Sequence, residues 1–225
     1  MTATEHSTIT HAGEALLLTH DATAYWARER TLFVADTHIG KTAAFRAGGV
    51  PVPEQTTTKD LVRLTEALVR TGAERLVVLG DLLHAKASRS GPVLDAFSRF
   101  RDDHQSLDIL LVRGNHDRSA GDPPDDWRIE CVDPGTSLGP FTLLHEPADM
   151  PSDAYDNALA GHLHPAVRLL DPATRSSVRA ACFWKRSDCL ILPSFGSFTG
   201  THVVRPRRGD EVRVCADGAL TAIPT

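Results

Sequence analysis

The sequence predicts an α/β (α+β) fold, on three observations. Short apolar runs rich in Val, Ile, Leu and Phe recur along the 225 residues, each bounded by polar or glycine signals, as buried strands are. In the first half these runs alternate with helical patterns, which implies parallel pairing through right-handed crossovers. In the second half strand follows strand across short turns, which implies an antiparallel sheet.

The runs in order are "TLFVAD", "RLVVLGD", "DILLVRG", "FTLLHE", "NALAGH" and "DCLILPS". Between the first two, "TTTKDLVRLTEALVRTG" sets Leu61, Leu64, Leu68 and Val69 on one face, opens on a threonine suited to capping and stops at Gly72, so it reads as a helix. "GPVLDAFSRFRDDH" aligns Val93, Ala96, Phe97 and Phe100 in the same way and reads as a second. Further on, "RAACFWKRSDCLILPS", "HVVRPRRGDEVRVC" and "GALTAIP" read as strands, with turns at Arg186-Ser187-Asp188 and Ala216-Asp217-Gly218. No repeat or linker interrupts the chain; "SAGDPPDDW" reads as a surface loop, and residues 1–225 are expected to form a single domain.

Composition bounds the function. Apolar residues make up 41% and charged residues 24%, ordinary for a globular protein, and no apolar run approaches the roughly 20 residues that span a bilayer. The start, "MTATEHSTITHAGEALLLTHD", lacks the basic and long apolar segments of a secretory signal. A cytoplasmic protein without a membrane partner is expected. Cys131, Cys182, Cys189 and Cys215 are scattered without a CxxC and read as buried thiols rather than disulfides. A net charge of -5 argues against a surface that embraces nucleic acid as a whole, yet is compatible with a small phosphodiester-cutting site whose positive field comes from bound cations.

The polar residues that close the strands are the informative feature. "LFVADTH" ends with Asp36 and His38, "LVVLGDLLH" with Asp81 and His84, "LLVRGNHD" with Asn115, His116 and Asp117, and "TLLH" with His145, while "ALAGHLHPAV" carries His162 and His164. Each has an ordinary reading alone: Asp36 and Asp81 as turn formers or caps, His145 as a satisfied core histidine. Together they point to one site, because the carboxyl ends of neighbouring strands in an open sheet converge on one crevice. Aspartates, neutral imidazoles and an amide oxygen suit Mn, Fe or Zn. They are too many for one ion, and two ions roughly 3.5 to 4 Å apart would use them all.

The same residues resemble the calcineurin-like metallophosphoesterase superfamily, whose signature runs D-x-H, G-D-x-x, G-N-H-D/E, H and G-H-x-H. All five blocks occur in order, as Asp36-Thr37-His38, Gly80-Asp81-Leu82-Leu83-His84, Gly114-Asn115-His116-Asp117, His145 and Gly161-His162-Leu163-His164. The resemblance implies a two-sheet sandwich flanked by helices, with the active site at the strand carboxyl ends. It implies that Asp36, His38 and His164 hold one divalent ion, that Asn115, His145 and His162 hold the other, and that Asp81 bridges them. His116 would face the scissile phosphate, with Asp117 orienting its ring. Lys41, His84 and Arg118 sit beside the motifs as candidates for touching substrate; His84 has a further reading as a group that orients metal ligands.

A narrower resemblance covers nearly the whole chain. "VADTHIGKTAAFRAGGVPVP", "LVVLGDLLHAK", "VRGNHDR", "ACFW" and "LILPSFGSFTG" are similar to the ligase-associated DNA-damage-response endonucleases of the PdeM group. That implies a manganese-dependent phosphodiesterase (two ions, Mn before Fe or Zn) cutting DNA in repair, associated with a DNA ligase and a helicase. Thr37 and Ile39 stand where leucines are common, and Ala180-Ala181 precede Cys182-Phe183-Trp184; none is an expected ligand. Protein phosphatases of the superfamily continue the second block as D-R-G to grip a monoester; His84, Ala85 and Lys86 stand here instead, which tilts the reading toward diesters. Small or cyclic nucleotides are the alternative substrate class, and a non-catalytic scaffold the alternative of a different kind.

Overall fold

The computed structural model describes residues 4–52, 55–148, 150, 154–170 and 176–225. A seven-stranded sheet runs in chain order through β1 (His6–His11), β2 (Glu14–Thr19), β3 (Ala24–Trp26), β4 (Thr31–Val34), β5 (Arg75–Leu79), β6 (Asp108–Val112) and β7 (Ile129–Val132). The first four pair antiparallel and β4 to β7 pair parallel. The parallel steps are crossed by α1 (Lys41–Ala47) and α2 (Thr56–Thr71), then α3 (Gly91–Asp103), then α4 (Asn115–Ala120).

The second sheet holds β8 (Thr136–Leu138), β9 (Phe141–Leu143), β10 (Ala158–Ala160), β11 (Pro165–Leu170), β12 (Ser177–Lys185), β13 (Cys189–Ile191) and β14 (His202–Val203), with β15 (Glu211–Ala216) and β16 (Ala219–Ile223) attached through β12. It is mixed rather than antiparallel as expected. The hairpins β11–β12, β12–β13 and β15–β16 are antiparallel, but β10 lies parallel to both β9 and β13, and β11 parallel to β14. The cause is strand order: β10 is inserted between β9 and β13, so it cannot pair with the strand that follows it in the chain.

Period two along the strands divides the core. Leu32, Val34, Leu76, Val78, Ile109 and Leu111 face the helices, whereas Phe33, Ala35, Val77, Leu79 and Val112 face the second sheet. Both faces of the first sheet are thereby buried, as βαβ crossovers require. Leu61, Leu64 and Leu68 of α2 and Val93, Phe97 and Phe100 of α3 complete the outer layer. Val69 is a correction: it is 74% exposed, because Ala67 occupies the inward position at the end of the stripe. The stretch "SAGDPPDDW" is also less superficial than a surface loop. It ends in a 3-10 turn at Asp125–Trp127 whose Trp127 is buried and stacks on Phe97 at 4.0 Å.

All four cysteines are free; Cys182 and Cys189 are buried, whereas Cys131 and Cys215 are partly exposed. No helix among the described residues is long and apolar enough to cross a membrane.

Candidate metal centre

The parallel strands of the two sheets deliver their polar ends to one place. Asp36 and His38 follow β4, Asp81 follows β5, Asn115 and His116 open α4 after β6, His145 follows β9, and His162 and His164 follow β10. Asp36, His38, Asp81 and His145 form a buried floor. His116, His162 and His164 stand at the mouth, with side chains 34%, 31% and 20% exposed.

The backbone turns sharply there. Asp36, His38, Asp81, His162 and His164 all have positive φ, between 43° and 64°, a conformation that costs a non-glycine residue on the order of 1 kcal/mol. The loops hold one another in it. The Asp36 and His38 N–H groups donate to the carbonyls of Gly80 (3.2 Å) and Asp81 (2.8 Å). The His162 N–H donates to Asp36 Oδ2 at 2.8 Å, and the His116 N–H to Asp81 Oδ1 at 3.0 Å. Gly80, at φ 80°, has no room for a side chain: a Cβ there would lie 2.0 Å from His145 Nδ1.

Two ligand sets emerge. Asp36, His38 and His164 bring donor atoms within 4.8 Å of one another, as do Asp81, His145 and His162. Asn115 joins the second set, its Oδ1 2.9 Å from His145 Nε2. Asp81 lies between them: Oδ2 is 3.9 Å from His38 Nε2, and Oδ1 is 3.5 Å from His145 Nε2. A third group, His38, His84 and His116, is also close enough to share an ion.

The hydrogen bonds show that the first two sets fit cations. His145 Nδ1 lies 3.1 Å from the Leu79 carbonyl, which fixes the proton on Nδ1 and leaves a lone pair on Nε2. That lone pair faces Asn115 Oδ1 and Asp81 Oδ1, and His162 Nδ1 is 2.9 Å away. His164 repeats the pattern, with Nδ1 3.1 Å from the Gly200 carbonyl and Nε2 3.4 Å from Asp36 Oδ1. Asp36 Oδ1 is buried without a hydrogen-bond partner. Converging lone pairs around an orphaned carboxylate oxygen repel one another unless a positive ion lies between them.

Electrostatics agree. Burial and then the neighbouring Asp36 push the Asp81 carboxyl up to about 8. Burial, then Lys41 and the surrounding imidazoles, hold His38 down to about 2. His84 is held at about 4 by burial, His116 and Lys41. His38 and His84 are therefore neutral at physiological pH, while Asp81 is short of positive partners.

Some expected roles change in detail. Asp117 does not orient the His116 ring; His116 Nδ1 lies 2.6 Å from the His84 carbonyl instead. The buried Asp117 carboxylate accepts the N–H groups of Asp81 (2.7 Å), Leu83 (3.2 Å) and Gly114 (3.0 Å), which ties the second and third motifs together. The half-buried His84 ring stacks on His116 with centroids 4.6 Å apart, and its Nδ1 is 3.4 Å from His38 Nδ1, so it wedges the metal floor against His116. Lys41 borders the cleft beside His162 and His164. Arg118 is an exposed residue of α4 and does not line that cleft. Sequence reasoning missed Glu146, whose Oε2 is 3.5 Å from His162 Nε2; its place directly after His145 was the available signal. It also missed Phe45, whose ring meets both His84 and Phe198.

Comparison with known proteins decides the family. The family model for calcineurin-like phosphoesterases matches residues 29–177, which span β4 to the start of β12 and contain every residue of the two ligand sets. The chain belongs to the calcineurin-like phosphoesterase family. It is therefore a hydrolase of phosphoester bonds, and its family uses divalent metals. The crystal structure of the Pseudomonas putida nuclease MPE is 37% identical, with a TM-score of 0.82 over 97% of this chain and 100% of that one. The phosphoesterase Yfce from E. coli is 16% identical over 86% of this chain and 92% of that one, with a TM-score of 0.38. A search of curated proteins finds no match.

Proposed function

We propose that this calcineurin-like phosphoesterase is an endonuclease that hydrolyses DNA phosphodiester bonds with two divalent cations, manganese for preference, and that it serves DNA repair alongside a ligase and a helicase. The observation that carries the reading is the pair of ligand sets sharing Asp81 around the partnerless Asp36 Oδ1. The nuclease among its structural relatives supports the substrate class, and His84-Ala85-Lys86 in place of an arginine-bearing continuation supports diesters.

One cation is assigned to Asp36, His38 and His164, the other to Asn115, His145 and His162, with Asp81 common to both. When bound, the cations supply Lewis acidity to the phosphoryl oxygens and to the attacking water. The chain's own residues do the rest. His84 and its carbonyl fix the His116 ring so that Nε2 faces the centre, 3.9 Å from Asp81 Oδ2. As the water oxygen, its proton released to solvent, bonds to phosphorus and the P–O bond to the leaving oxygen breaks, His116 Nε2 would donate a proton to that oxygen. Such acid assistance is typically worth 10²–10⁴-fold. Lys41, beside His162 and His164, faces a non-bridging phosphate oxygen.

The test is hydrolysis of a circular single-stranded DNA with manganese, beside a 2′,3′-cyclic nucleotide and a phosphomonoester. Manganese-dependent opening of the circle is expected, reduced at least about 100-fold in His116→Ala. Turnover of the cyclic nucleotide or the monoester alone would overturn the DNA assignment.

A further inference from the structure

The sequence shows no long basic track, and Arg205, Arg207 and Arg208, clustered near the C-terminus, read as an exposed turn. Folding adds Arg186 to them. A groove of about 1130 Å³ is lined by Arg186 after β12, by Arg205, Arg207 and Arg208 between β14 and β15, and by Trp184. Its near end is Leu163 and His202, and the same two residues border the cleft of His162, His164 and Lys41. The arginine groove and the cleft beside His162 and His164 therefore adjoin through Leu163 and His202.

Its charge is arranged for an anionic guest. Asp188 is engaged by the Arg186 guanidinium at 2.7 and 3.0 Å, and the two cancel. Asp210 accepts the Trp184 indole N–H and the Arg207 backbone N–H, each at 2.8 Å. The guanidinium groups of Arg205, Arg207 and Arg208 make no ion pair with any described residue and are exposed. The turn that carries two of them is preset: the Asp210 N–H donates to the Arg207 carbonyl at 3.0 Å, and Gly209 at φ 100° supplies the conformation this closure needs. Three arginines without an ion pair among the described residues, two of them on a fixed turn, beside Trp184, are the chemistry that tracks a phosphate backbone.

We infer that this groove holds the single-stranded DNA on one side of the bond to be cut, so that the enzyme binds polynucleotides more tightly than small diesters. The inference rests on the DNA-cutting reading above. It is tested by replacing Arg205, Arg207 and Arg208 together with alanine, and in a second protein with lysine. Both are assayed with manganese on a single-stranded oligonucleotide long enough to reach from site to groove, on the matching duplex, and on bis(p-nitrophenyl) phosphate. In the alanine variant KM for the single strand should rise about tenfold or more, and the salt dependence of log KM should fall by about 2, from roughly 0.7 per lost phosphate contact. Hydrolysis of the small diester should be unchanged, and the lysine variant should keep most of the single-strand affinity. An unchanged KM and salt slope, an equal loss on the small diester, or a loss confined to the duplex would overturn the groove assignment while leaving the DNA-cutting reading intact. A wild type that turns over the small diester but cuts no oligonucleotide would overturn that reading itself.

Discussion

At the scale of single residues, Asp81 is where fold and chemistry meet. A Cβ on Gly114 would lie 2.2 Å from Asp81 Oδ1, while the Gly114 backbone, at φ -90°, is open to any residue. Gly114→Ala therefore acts by steric displacement of the Asp81 carboxylate. Manganese affinity should fall about 10- to 100-fold, as when groups orienting a ligand are disturbed, with the circular dichroism spectrum preserved. A titration followed by the electron paramagnetic resonance of free manganese checks this, and an unchanged affinity would contradict the placement of Asp81.

The pH dependence of the metal-free protein follows from the same residue. Asp81, raised from 3.8 to about 8, keeps a proton in the folded state that the unfolded chain has released, so its contribution to stability is lost as pH rises toward 8. His38 and His84, depressed from 6.5 to about 2 and about 4, act oppositely below 6.5. Folded, they refuse protons that the unfolded chain takes up. Between pH 6.5 and about 8 only the Asp81 effect remains among these three. Urea unfolding of chelator-treated protein should show stability falling with pH across that window, and Asp81→Asn should flatten it.

At the scale of elements, α2 separates buried from exposed apolar positions. Leu64 is 4% exposed and packs in the outer core, whereas Val69 is 74% exposed. Leu64→Ala should cost about 2–5 kcal/mol and Val69→Thr within about 0.5 kcal/mol, both read from urea midpoints. The long helices and the strands that end in site residues were legible because their periodicity is strong. Val69 was misplaced because the apolar stripe runs along Leu61, Leu64 and Leu68 and turns inward at Ala67, which a small side chain hides from pattern reading. The hairpin of β1 and β2 went unread for another reason. Its outward side chains include His6, Thr8, Thr10 and Ala15, and its turn, Ala12-Gly13 with φ 55° and 77°, lacks the Asn-Gly or Asp-Gly signal of a two-residue hairpin.

At the scale of the whole molecule, the ligands come from strands of both sheets, so the site exists only when the shared core of Phe33, Leu79, Phe141 and Leu159 is packed. The site was legible from the chain because each ligand sits just past an apolar run, and parallel strand ends must converge. The parallel seating of β10 between β9 and β13 was not legible, since strand order in a sheet leaves no local trace in the sequence. Nor was the arginine groove, because Arg186 lies in the turn between β12 and β13 and Arg205, Arg207 and Arg208 in the connection between β14 and β15.

The central claim is a two-cation centre divided by Asp81. It is tested most directly by the anomalous scattering of manganese in crystals soaked with the ion. Two peaks are expected, roughly 3.5 to 4 Å apart, one against Asp36, His38 and His164 and the other against Asn115, His145 and His162, with the Asp81 carboxylate between. A single peak, or a peak seated among His38, His84 and His116, would contradict it.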